Sequence, residues 1–285
     1  MKALSLSLLT IREAILKGTL LFYFIVGNLI ILFFAAAVSG SMESGTLTIT
    51  MFGSQLTPRG LEGFNPVEFL LRQLFQSASS AIMLFGIFAT AGLIPSMLEK
   101  GTVELYLSKP LSRSSLLLAR SFGACGGIGA NILYFAVGIW AVFGIKTGIW
   151  HGNFLLASVV AIFIFLCYYS VVALTAVITR STAFSIMIAF VFTLFSSALE
   201  VRQTTLYVWW ENAFFHRFLD SLYYATPRIS RMIDQAANLV GKDITTRVLA
   251  EQASAGFDIL PFVYSFLSAS LLYALAIVYF FRQDY

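Results

Sequence analysis

Apolar residues run with few breaks through six stretches of this chain, and polar residues collect in the segments between them. The stretches are 19–39, 78–97, 116–144, 154–178, 183–199 and 259–281. An α-helix needs about 20 apolar residues to cross a hydrocarbon core of about 30 Å, so each stretch reads as a membrane span. The third is long enough to tilt or to project beyond the bilayer, and the fifth is the shortest. An even number of spans puts both ends of the chain on one side. The pattern predicts a single all-α domain over 1–285, a polytopic membrane protein with six transmembrane helices.

The segment 1–18 has a helical period of its own. Leu4, Leu8, Ile11 and Ile15 fall on one narrow stripe, with Thr10, Glu13 and Lys17 facing the other way. Such a helix lies in the membrane interface; the plainer alternative is an extension of the first span into the cytosol. Leu6 breaks the pattern. The apolar run from Thr19 is too long for the core of a cleavable signal, and no small-x-small cleavage site follows it cleanly, so it is expected to stay as an anchor.

Composition agrees with a bilayer environment. Hydrophobic residues make up 59% of the chain and charged residues 11%, and 28 Phe and 12 Tyr are more aromatic surface than a soluble core of this size could hide. The net charge of +4 comes from basic residues beside the apolar runs. That is a topology signal, and no nucleic-acid partner is expected. With the N-terminus in the cytoplasm, that side holds Lys2, Arg12, Lys17, Lys100, Lys109, Arg113, Arg120, Arg180 and Arg282. The opposite short connections hold only Arg59, Arg72 and Lys146. The expected location is therefore the cell (inner) membrane, multi-pass, with both termini cytoplasmic.

The long outer segment 200–258 is too apolar for a free linker. Thr226 and Pro227 suit the start of a helix, Ile229, Ile233, Ala236 and Val240 repeat at helical spacing, and Gly241 stops it. Asp243 can cap a second short helix running to about Gly256. Upstream, the aromatic residues around Glu211, His216, Arg217 and Asp220 suit a helix at headgroup depth. Two or three amphipathic helices are expected, resting on or dipping into the outer leaflet.

Catalytic and metal motifs are missing from the sequence. There is no His-Glu-x-x-His, no Gly-x-Ser-x-Gly, and the two histidines, His151 and His216, lie in different outer segments. In "AANLVGKD" Ala236 replaces the first glycine of a phosphate loop and Asp243 the residue needed for magnesium. Cys125 and Cys167 have no neighbouring ligand spacing and read as packing residues. No cofactor and no enzymatic activity are expected in this chain. Ion-coupled transport is disfavoured too, because the middles of the spans carry Asn28 and Asn131 but essentially no ionisable residue. Both asparagines read as hydrogen-bond partners between helices. Gly123 and Gly127, with Gly126 and Ala130, give the third span a face of small residues for close helix packing.

The most polar connection is "EKGTVELYLSKPLSR", 99–113. Glu99 and Lys100 end the second span, and Gly101 permits the left-handed conformation that terminates a helix. Thr102 can cap a very short new helix with Glu104 in its first turn and Val103 and Leu107 on one face. Ser108, Lys109 and Pro110 stop it, and Ser112 or Ser114 caps the third span. The segment reads as a rigid helical knob on the cytoplasmic surface.

At these residues the chain resembles the permease subunits of ABC-2 type ATP-binding cassette transporters. The family pattern of Glu-x-Gly-Thr, an aliphatic residue, an acid, a Leu-rich step into Ser-x-Pro, and Ser-Arg with a basic residue beyond is filled by Glu99, Gly101, Thr102, Glu104, Ser108, Pro110, Ser112, Arg113 and Arg120. The layout is similar as well, although the outer segment is longer than the minimal pattern. The resemblance implies a coupling helix, with its roots, formed by Glu99, Gly101, Thr102, Val103, Glu104, Leu107, Ser108, Pro110, Ser112 and Arg113, docking on a separate ABC ATPase subunit. It also implies a second permease copy, as a homodimer or close homologue. Closure of the ATPases would then rock the spans between inward- and outward-facing states and export a substrate. A different class of function, a membrane assembly or scaffold protein whose outer helices recruit a periplasmic partner without transport, fits the same outer segment.

Overall fold

The computed structural model describes residues 2–43, 46–51, 54–55, 66–99, 101–102, 112–209, 212–241 and 257–283. Six helical segments are long and apolar enough to cross a membrane. They are α2 (Thr19–Ala37), α3 with α4 (Pro66–Thr90 and Leu93–Met97), α5 (Arg113–Thr147), α6 (Gly152–Thr179), α7 (Thr182–Glu200) and α11 (Leu260–Arg282). α1 (Lys2–Leu16) precedes them, and α8 (Leu206–Trp209), α9 (Ala213–Ala225) and α10 (Ile229–Val240) lie between α7 and α11. α1 and the end of α11 meet the start of α5 at one end of the bundle, here called proximal; the opposite end is distal.

α6 is the hub. It packs against α5, α7, α10 and α11, and its Phe165, Tyr168 and Tyr169 are fully buried. By contrast α2 buries only Leu20 and Ala37, leaving Phe22, Leu29 and Leu32 more than half exposed. Water would penalise such a surface heavily and lipid does not, which fits a multi-pass membrane protein.

The second span starts at Pro66, not at residue 78. Arg72 and Gln76 read as connection in the sequence, but the helix carries them into contact with α10, where polar partners meet them. Near its other end Pro95 has no N–H to give the Ala91 carbonyl, and the helix breaks at 91–92. The Thr90 carbonyl beside the break accepts instead from the Tyr169 hydroxyl of α6, at 3.1 Å.

A small antiparallel sheet adds to the helices. β1 (Val38–Glu43) pairs with β2 (Thr46–Met51) in the register Val38↔Met51 to Glu43↔Thr46, and β3 (Ser54–Gln55) joins the far edge. The alternating Thr46, Thr48 and Thr50 favour extended backbone, but the run is too short and polar to stand out in a hydropathy pattern. No element was expected here.

α1 has two working faces. Leu6, Thr10 and Ala14 are buried, while Leu8 and Ile15 are more than half exposed. Leu6 therefore belongs to the protein-facing side, and the expected apolar stripe is largely the outward one. Close approach to α5 is possible because Gly123 has no side chain: a Cβ there would sit 2.7 Å from both the Ser7 carbonyl oxygen and the Thr10 Cβ. At Gly127 a Cβ would sit 3.0 Å from the Leu20 Cδ1 and in ordinary contact with Ile11, so the small-residue face of the third span packs on α1 and α2 of its own chain.

The expected start of α10 shifts by two residues. Thr226 closes α9 through its N–H to the Leu222 carbonyl, Pro227 turns the chain, and Arg228 is the N-cap. Ile229, Ile233, Ala236 and Val240 are buried and Gly241 ends the helix, as the spacing predicts. The buried side of α10 packs against α6, α3 and α7, while Arg231 stays exposed. The second short helix expected from Asp243 lies outside the described residues.

Candidate functional site at the proximal end

The knob expected at 99–113 has two roots, and the structure describes both. At the first, α4 ends at Met97, Leu98 and Glu99 turn, and Gly101 adopts φ +86°, the left-handed region that a glycine occupies without strain. The Thr102 N–H closes the turn on the Glu99 carbonyl at 3.1 Å. At the second root Ser112 is the N-cap of α5, its Oγ accepting from the Ser115 N–H at 3.2 Å. Val103, Glu104, Leu107, Ser108 and Pro110 lie outside the described residues.

Both roots are tied to other helices. Arg113 donates from one nitrogen to the carbonyls of Phe280, Phe281 and Gln283 at 3.0, 3.4 and 2.7 Å. These are among the last carbonyls of α11, which have no intrahelical donor and carry the negative end of the helix dipole. Gln283 in turn donates to the Val177 carbonyl and accepts from Arg180 at 3.0 Å, bringing in the end of α6.

The other root is held through α1. Arg120, one helical turn beyond the first buried layer of α5, is 1% exposed and donates to the Glu13 carboxylate. Glu13 also accepts from Ser96 of α4 at 3.2 Å and from Lys17 at 2.8 Å. One carboxylate thus bridges α1, the end of the second span and the start of the third. Burial pushes the Glu13 carboxyl up, but hydrogen bonds from Lys17 and Arg120 and their charges outweigh it and hold it below the ordinary value. Arg120 read in the sequence as a boundary charge; its burial and its partner 107 residues away had no local signal.

A second polar cluster sits at the distal end. Arg72 donates to Gln76 and to Asn238, each at 3.2 Å, and Gln76 donates to Asp234 at 2.8 Å, so α10 is fastened to α3 by side chains. Burial pushes the Asp234 carboxyl up, with Gln76 opposing. Nearby, Arg202 pairs with Asp220 at 2.8 Å, and Glu200 accepts from Tyr223 at 3.0 Å and Arg231 at 3.3 Å. His216 stacks on Tyr207 with ring centroids 3.9 Å apart.

Of the two mid-span asparagines, Asn28 accepts from Tyr134 of α5 at 2.7 Å, joining two spans, whereas Asn131 donates to the Gly127 carbonyl of its own helix. Cys125 and Cys167 are buried free thiols. Among the described residues no group of three or more His, Cys, Asp or Glu gathers as a metal site. The proximal arrangement is mechanical: charged side chains bind helix ends to one another around the base of a polar segment. No protein-family model matches the chain, and no curated protein matches it in sequence.

Proposed function

We propose that the chain is the membrane-spanning permease subunit of an ABC-2 type transporter, driven by a separate ATPase subunit that docks on 99–113. The observation that carries this reading is the bracing of both roots of that segment. Glu13 and Arg120 tie α1, α4 and α5, while Arg113 ties α5 to the end of α11. A push on the segment would then move several helices together, which is what transmission of a conformational change through a packed bundle requires. An ordinary connection between spans has no need of such anchors. On this reading the proximal end faces the cytoplasm, two permease copies pair with two ATPases, and the work is export.

The test is co-purification with the ATPase and stimulation of ATP hydrolysis in reconstituted vesicles. Glu104→Arg, which reverses a charge on the docking segment, and Gly101→Pro, which cannot hold φ +86°, are expected to lose the complex. An intact complex in both variants sinks the coupling role. A stable complex without movement of any candidate cargo would favour the scaffold reading.

A further inference from the structure

Arg228 is a buried cation whose guanidinium lies among aromatic rings. It occupies the turn between α9 and α10, with its backbone N–H fixed on the Ser265 Oγ of α11 at 2.9 Å. The residue is 8% exposed. Its guanidinium lies 4.3 Å from the ring centroid of Tyr223, 4.6 Å from that of Tyr224 and 4.5 Å from that of Tyr264. Among the described residues its buried Nε and Nη2 have no hydrogen-bond partner and no carboxylate pairs with it. Two acids described nearby are already taken: Asp220 by Arg202, and Glu200 by Arg231 and Tyr223.

Cation–π contacts offset part of the desolvation of a guanidinium, but they leave its in-plane N–H groups empty. Those groups form a fork that matches two oxygens of a phosphate. Two of the three rings can yield a path to it, because Tyr224 is 55% and Tyr264 40% exposed. Each also brings a hydroxyl able to donate to a phosphate oxygen.

We propose that Arg228, Tyr224 and Tyr264 form a phosphate-binding site for the headgroup of a phospholipid at the distal membrane interface. The lipid source is favoured by what adjoins the cage. Tyr264 is in the second turn of α11, and Leu267 and Leu271 continue its face toward the middle of the span, 59% and 58% exposed. A headgroup in the cage would lay its acyl chains along that strip. The inference stands apart from the proximal site and holds whether or not the chain couples to an ATPase.

Native mass spectrometry of the detergent-solubilised full chain, loaded with phosphatidylglycerol and separately with inorganic phosphate, tests it. Retention of phosphatidylglycerol is expected to weaken about tenfold or more in Arg228→Gln, since loss of one charge-assisted hydrogen bond is worth that factor. Arg228→Lys should fall between, keeping the charge without the fork. Should Arg228→Gln not fold, Tyr224→Phe with Tyr264→Phe keeps every ring and removes only hydroxyls; weaker retention supports the site and unchanged retention overturns it. Arg228-dependent binding of inorganic phosphate without lipid retention overturns the lipid source and leaves the anion site standing. Equal lipid retention in folded Arg228→Gln and the parent chain overturns the proposal.

Discussion

Glu13 of α1 accepts a hydrogen bond from Arg120 of α5, and through it a residue before the first span secures the beginning of the third. Arg120 is almost fully buried and Glu13 partly so. Breaking a buried pair by removing one partner costs about 3–5 kcal/mol. Solvent reaches Glu13 and Lys17 still pairs with it, so a smaller figure of about 2–3 kcal/mol is expected for Arg120→Gln, with Glu13→Gln costlier because it leaves the buried Arg120 charge without its carboxylate. Thermal unfolding in detergent measures both, and a double-mutant cycle should return a coupling between them; independent additive effects would show that the pair does not act as a unit.

The same carboxylate sets a pH dependence. Its folded value lies below the ordinary 4.5, so the stability it contributes is complete above 4.5 and is lost as pH falls through the lower folded value. Hydrogen exchange of α1, followed from neutral pH down past 4.5, should rise in that window in the parent chain. In Glu13→Gln the rise should be absent, because nothing is left there to titrate.

Asp234 behaves in the opposite sense. Burial raises its folded value above the ordinary 3.8, so its contribution is full below 3.8 and declines as pH rises through the raised value. Asp234→Asn keeps an oxygen for the Gln76 amide and removes the buried charge. At neutral pH it should raise the melting temperature; a lower one would mean that Asp234 is stabilising as a carboxylate.

Gly123 and Gly126 offer a paired test of helix approach. A Cβ at Gly123 would meet the Ser7 carbonyl oxygen at 2.7 Å, whereas at Gly126 the nearest atom is the Ile11 Cδ1 at 3.6 Å, an ordinary contact. Gly123→Ala is expected to cost about 1–3 kcal/mol by forcing α1 away. Gly126→Ala should be neutral or slightly stabilising through helix propensity. Thermal unfolding of the two variants side by side distinguishes local packing from a general effect of losing glycine.

Arg113→Ala removes the donor shared by three carbonyls at the end of α11. Amides in 280–283 should exchange faster, while α5 keeps its Ser112 cap and its length. If the proposed coupling holds, stimulation of the ATPase by this variant should fall further than its stability does.

The spans were legible in sequence because hydropathy over about 20 residues depends on nothing but the residues themselves. The φ of Gly101, a serine cap on α5 at Ser112 or Ser114 and the buried stripe of α10 were legible for a related reason: each rests on neighbours within four positions. The second span's true start was not. Arg72 and Gln76 look like loop residues until Asn238 and Asp234 are set against them. Leu6 and Thr10 likewise make sense only once Gly123 is beneath them.

By itself, then, the sequence determined a six-span helical membrane protein with a stiffly bounded polar segment, since length, hydrophobicity and capping are local properties. Tertiary structure alone decided which charges are structural. Arg120 meets Glu13 across 107 positions, Arg113 reaches Phe280 across 167, and Gln76 reaches Asp234 across 158. The energy of a buried charge depends on the partner that replaces its water, and that partner is supplied only when the helices pack.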